Sequence, residues 1–175
     1  MSSFKTDKFD LLEIEKVMSK GEYELALDLI KKIEEKNTAF GAYILWQKGV
    51  SLDYLGYPMD ALRSFKKALE LDPSSYPCLN SLDITLENMQ KQLRRMESDE
   101  TINLEFIIEI ESFLKEIGEL SSGFQLRLLR HYLILKAYNE FDSLIGYSLD
   151  LNPNSRELAE LKDLRGTEGF LKIAN

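Results

Sequence analysis

One cysteine, one histidine and four prolines in 175 residues close off several classes of protein before any pattern is sought. A single thiol, Cys78, allows no disulfide within the chain and no cysteine-cluster metal site, and it fits a reducing compartment. A single imidazole, His131, leaves no second histidine to share a metal. The chain carries no glycine-rich phosphate loop and no nucleophile elbow, so neither a nucleotide cofactor nor a serine hydrolase is indicated. No apolar run reaches the roughly 18–20 residues of a membrane span, and residues 1–7 lack the apolar stretch of a leader. These absences together predict a cytoplasmic protein with no catalytic residues, no metal site and no cofactor.

Positive charge is also short. Lysine and arginine number 22 against 30 aspartate and glutamate, a formal net charge of −8. Phosphate backbones and anionic lipid are repelled by such a chain on average, which argues against nucleic acid and membrane partners. What remains is 44% hydrophobic and 30% charged residues with few helix breakers, enough for an apolar core and one domain over residues 1–175.

The apolar residues recur at helical spacing, and a motif repeats. Gly21-Glu22-Tyr23-Glu24-Leu25-Ala26-Leu27 aligns with Gly56-Tyr57-Pro58-Met59-Asp60-Ala61-Leu62 at an offset of 35. In the second copy Leu45, Gly49 and Leu52 share one helix face, Gly56 breaks the chain, Ala61, Phe65 and Ala68 share a second face, and Pro73 ends it. Small residues at Gly49, Ala61 and Ala68 let two helices approach while large ones fill the gaps.

This pattern resembles the tetratricopeptide repeat, whose period is about 34 residues. It departs at Lys48, where a leucine is usual, and at Leu45, which takes the usual tryptophan place with Trp46 displaced by one. The resemblance implies an all-α fold of helical-hairpin repeats in a right-handed superhelix. The units are a capping repeat over 7–40, a full repeat over 42–75, an elongated hairpin over 76–121, a degenerate repeat over 122–155 and a capping helix over 156–175. Leu149-Asp150-Leu151-Asn152-Pro153-Asn154-Ser155 echoes Leu69-Glu70-Leu71-Asp72-Pro73-Ser74-Ser75 at an offset of 80, about twelve residues more than two ideal periods.

The excess lies in the hairpin, with helices predicted from about 76 to 97 and about 100 to 117, joined at Ser98-Asp99. Leu79, Leu82, Leu86, Met89, Leu93 and Met96 alternate spacings of three and four, as in a coiled-coil seam. Phe106, Ile110, Phe113 and Ile117 do likewise. Residues 102–106 also alternate with period two, but no turn or partner strand flanks them, so helix is preferred.

Stacked hairpins present their first helices on a concave surface, and the resemblance implies that a partner protein or peptide binds there. In the fullest repeat that face carries Tyr43, Trp46, Val50, Asp53 and Tyr54, aromatic rings suited to contact. Equivalent positions are Leu11, Glu15 and Met18 before it, Asn80, Ile84 and Glu87 after it, and Leu126, Arg130 and Leu133 in the last repeat. The same rings could instead be covered by the chain's own N-terminal or hairpin segments. Some tetratricopeptide domains hold a C-terminal carboxylate with cationic residues; the corresponding positions here read Leu11, Glu15, Gln47, Pro77 and Ser81, with no cation to do so.

The chain is thus expected to be a scaffold or adaptor. The alternative is a self-assembling subunit, or a small acidic chaperone of the same repeat type, forming a homodimer through an exposed seam on the 76–118 hairpin. An enzyme ranks last. His131 has no acid or second histidine at helical spacing, and Cys78, although placed at a helix start where the dipole favours a thiolate, has only that distant histidine as a base. Arg127, Arg130 and His131, and Lys91, Arg94 and Arg95, form two basic groups best explained by pairing with nearby glutamates.

Overall fold

Long stretches of helix-forming residues between widely spaced glycine and proline leave little choice of local structure, and the described chain is helical throughout. A computed structural model describes residues 3–35, 41–97 and 103–165. Among them run α1 (Ser3–Met18), α2 (Tyr23–Glu35), α3 (Ala42–Tyr54), α4 (Pro58–Leu71), α5 (Tyr76–Met96), α6 (Leu104–Glu116), α7 (Ser122–Ile134), α8 (Tyr138–Leu151) and α9 (Arg156–Arg165), with no strand among the described residues.

Four helices end the same way. Gly21, Gly56 and Gly118 take φ of +76°, +84° and +73°, and Lys136 takes +55°. At each, the next residue's N–H reaches back to a carbonyl five residues earlier: Glu22 to Val17 at 3.1 Å, Tyr57 to Leu52 at 2.9 Å, Glu119 to Leu114 at 2.9 Å and Ala137 to Tyr132 at 2.8 Å. This left-handed cap satisfies carbonyls that the helix end would otherwise orphan, and glycine adopts it without a Cβ penalty. The motif at Gly21 and Gly56 therefore marks real turns. Gly118 and Lys136 perform the same job without the surrounding motif.

The second type of break is the Pro73 turn. Asp72 leaves α4 at φ −138° and Asn152 leaves α8 at φ −136°. Ser75 N–H then bonds Asp72 O, and Ser155 N–H bonds Asn152 O, at 3.2 and 3.1 Å. The echo at an offset of 80 extends well beyond this turn. Helix starts move from Ala42 to Ser122, from Pro58 to Tyr138 and from Tyr76 to Arg156, a constant shift of 80, and the ends of α3 and α4 move equally to those of α7 and α8.

The chain divides into two compact units, residues 1–88 and 89–175, with the boundary inside α5. In the first unit α1 packs on α2, α2 on α3 and α3 on α4. Ile14, Ile30, Ile33 and Ile44 form a core with Leu11, Met18 and Leu29 against it. Ala61, Leu62, Phe65 and Ala68 of α4 are buried. A Cβ on Gly49 would lie 2.3 Å from Phe65 Cε1, so the absence of a side chain on α3 is what admits the Phe65 ring. In the second unit α6 packs on α7, and α7, α8 and α9 pack on one another. There the corresponding pair is Leu129 and Ile145, both buried: volume removed from one helix is returned to its neighbour, as close packing requires.

Two expectations for the hairpin need correction. Helix α6 starts at Leu104, after the boundary predicted near residue 100, and with 13 residues it is no longer than α2 or α3. Its start is set by Asn103, whose Oδ1 accepts from Phe106 N–H at 2.7 Å, a side-chain cap that periodicity does not reveal. The seam of α5 is also not an exposed stripe: Leu82, Met89 and Leu93 are buried, while Leu79 is exposed. The predicted turn Ser98-Asp99, Thr38, Gly166 and the tail 167–175 lie outside the described residues. No helix among the described residues is long and apolar enough to cross a membrane.

Candidate partner-binding site

The predicted contact residues of α3 belong to the first unit, and polar bonds hold them between α1 and the N-terminal part of α5. The Tyr43 hydroxyl donates to Glu15 Oε1 of α1 at 2.6 Å and accepts from Gln47 Nε2 at 2.7 Å. Gln47 itself is buried. Burial, and next the Glu15 carboxylate, push the Tyr43 phenol above its ordinary value, so it stays a donor at neutral pH. One turn on, Trp46 Nε1 donates to Ser81 Oγ of α5 at 3.0 Å, and Ser81 Oγ donates to Pro77 O at 2.9 Å. The two rings lie 5.4 Å apart, tilted at 59°, near the edge-to-face geometry that aromatic pairs favour.

Further along α3, Asp53 is half-buried, and burial pushes its carboxyl up while the Thr85 hydroxyl opposes that shift. Tyr54 stacks on Tyr23 of α2, with centroids 4.4 Å apart and planes within 8°, and is still 68% exposed. Val50 is half-buried, while Asn80, Ile84 and Glu87 of α5 are exposed. The structure thus unites Tyr43, Trp46, Val50, Asp53, Tyr54, Asn80, Ile84 and Glu87 within one unit. Of its rings Tyr43 and Tyr54 remain exposed, whereas Trp46 is half-buried and tied to α5, the covering by the chain's own hairpin segment considered above.

Arg130 belongs to the second unit, at the place of Val50 after the shift of 80, and is exposed. Of the basic group around it, Arg127 is paired with a glutamate, as expected from the sequence: its Nη1 lies 2.7 Å from Glu97 Oε1. His131 is buried, with Nε2 donating to Leu93 O at 3.0 Å. Burial lowers the His131 pKa, against smaller opposing effects of the Leu93 carbonyl and Glu97, so it is a neutral packing residue at neutral pH.

Cys78 is likewise a packed side chain. It is buried, its Sγ donates to Phe65 O at 3.4 Å, and burial, then Asp72, push its thiol up to about 11. Desolvation outweighs the helix-start effect expected from sequence. No group of three or more metal-ligating side chains occurs among the described residues.

Sequence reasoning missed the roles of Ser81 and Thr85, which anchor α3 to α5. Their signal was spacing: one turn apart, they are small hydroxyl residues on the α5 face beside Leu82. It also missed Gln125, which is buried where the first unit has Leu45. No family model, curated protein or solved structure matches the chain.

Proposed function

We propose that the protein is a non-catalytic scaffold of the tetratricopeptide type that binds a segment of another protein through the α3 face of its first unit. The observation that carries this reading is the pair of exposed tyrosines, Tyr43 and Tyr54, each already positioned by a neighbour, Glu15 for one and the Tyr23 ring for the other. Rings held in place lose little entropy on binding, and exposed Ile84 adds apolar area on the same unit. Asp53, Asn80 and Glu87 add polar side chains on the same unit.

Selection of displayed random peptides on the full chain tests this. Enriched peptides are expected to lose about 2 kcal/mol, roughly thirty-fold in Kd, on Tyr54→Ala or Tyr43→Ala, the magnitude of an interface hot spot. Peptides that bind both variants as tightly as the wild type would place the contact elsewhere and overturn the assignment.

A further inference from the structure

The chemistry left over on the α3 face of the first unit points to one kind of partner, an inference that rests on the reading just proposed. From Tyr43 to Asp53 the side-chain donors of α3 are already engaged. Tyr43 donates to Glu15, Gln47 to Tyr43, Trp46 to Ser81 and Ser51 to the Gln47 carbonyl. Lys48, the one cation of α3, pairs with Glu34 of α2 at 2.6 Å. A partner therefore finds little hydrogen-bond donation along this helix.

What remains is acceptors and ring faces. Asp53 is half-buried, and its one polar neighbour is the Thr85 hydroxyl; no lysine or arginine among the described residues pairs with it. A carboxylate drawn partly out of water is poorly compensated by a single hydroxyl, since it can accept several hydrogen bonds. Glu15 of α1 takes the Tyr43 hydroxyl on Oε1 and keeps Oε2 for a second donor. The residue after Asp53 supplies the ring. Tyr54 stacks on Tyr23 through one face, and its 68% exposure leaves the other face open.

A carboxylate on the partner would be repelled by Asp53 and Glu15. An apolar side chain would cover the Tyr54 ring and drive Asp53 further out of water without a cation. A lysine could pair with Asp53 but has no plane to lay on the ring. A guanidinium is flat, permanently charged and rich in donors, so it meets both needs. The net charge of −8 attracts a basic segment from a distance as well. We propose that this face takes its partner segment through an arginine, whose guanidinium stacks on the open face of Tyr54 and donates to the Asp53 carboxylate.

The probes are peptides enriched by display on the full chain and weakened by Tyr54→Ala. They are expected to share an arginine. Citrulline at that place keeps the shape, removes the charge and is expected to weaken binding about tenfold. Asp53→Asn, which can still accept from Thr85, should weaken the arginine peptide by a similar factor and leave the citrulline peptide nearly unchanged, so that the two changes are coupled. Added salt should weaken the arginine peptide more than the citrulline one. Should Asp53→Asn lower the helicity, the citrulline comparison on the wild-type chain decides alone. Tyr54-dependent peptides without an arginine, citrulline forms that bind as tightly, or an Asp53→Asn loss equal for both peptides would each overturn the arginine assignment and leave the α3 face as the contact. Peptides indifferent to Tyr43→Ala and Tyr54→Ala would overturn the reading beneath it.

Discussion

Gly49 leaves no ready room for a side chain, because its Cβ position sits 2.3 Å from a ring that is itself fully buried. Gly49→Ala is expected to destabilise the first unit by about 1–3 kcal/mol, the cost of overpacking a filled core, read as a fall in the urea midpoint. Lys136 is the converse case. At φ +55° it carries a left-handed strain of about 1–2 kcal/mol, part of which glycine's greater unfolded-state entropy would offset. Lys136→Gly should therefore raise stability by about 0.5–1 kcal/mol, and an unchanged or lower midpoint would contradict the strain. Ser148 is buried with an unpartnered hydroxyl at the place where the first unit has Ala68. Ser148→Ala removes that group without leaving a cavity and should stabilise by about 1 kcal/mol.

Among the helices, α6 depends most visibly on its ends. The Asn103 cap supplies one of the few acceptors for its first turn, and Asn103→Ala is expected to cost about 1 kcal/mol and to speed amide exchange at Phe106 before the rest of the helix. Elements of this kind show how far the sequence could be read. The 21–27 and 56–62 motifs announced their turns because glycine at a left-handed position has few substitutes. The turn at Lys136 was hidden because a non-glycine residue occupies the same conformation, and the start of α6 was hidden because a cap is one hydrogen bond with no periodicity. Of the proposed contact face, Tyr43, Trp46 and Tyr54 were legible from rotation about the α3 axis. Their partners Glu15 and Ser81 were not legible as partners, since each is 28 or 35 residues away along the chain.

At the scale of the molecule, acid is the condition that should reveal the buried histidine. The groups facing His131 are the Leu93 carbonyl, Glu97 and Arg127, and the net effect in the fold lowers its pKa. The unfolded chain thus binds this proton more readily than the folded one. The sign follows: stability is full above the ordinary value of about 6.5 and is lost progressively as pH falls from there toward the lowered folded value. The midpoint temperature should drop between about pH 7 and about pH 5, and His131→Gln, which keeps a donor for Leu93 O, should flatten that part of the profile. A profile equally steep in the variant would assign the loss to carboxylates instead.

Composition and periodicity alone determined that this chain is helical, where two of its glycine turns fall, and that no cysteine-cluster metal site or intrachain disulfide was available, because those properties depend on residue type and near neighbours. Only the tertiary structure decided which apolar stripe is buried, that Cys78 and His131 are packed and neutral, that helix boundaries repeat after 80 residues while Gly49 and Phe65 give way to Leu129 and Ile145, and that Gln125 stands in a leucine's place. Those facts depend on what lies across a helix interface, and a shared volume or a missing hydrogen-bond partner leaves no trace in the order of residues along the chain.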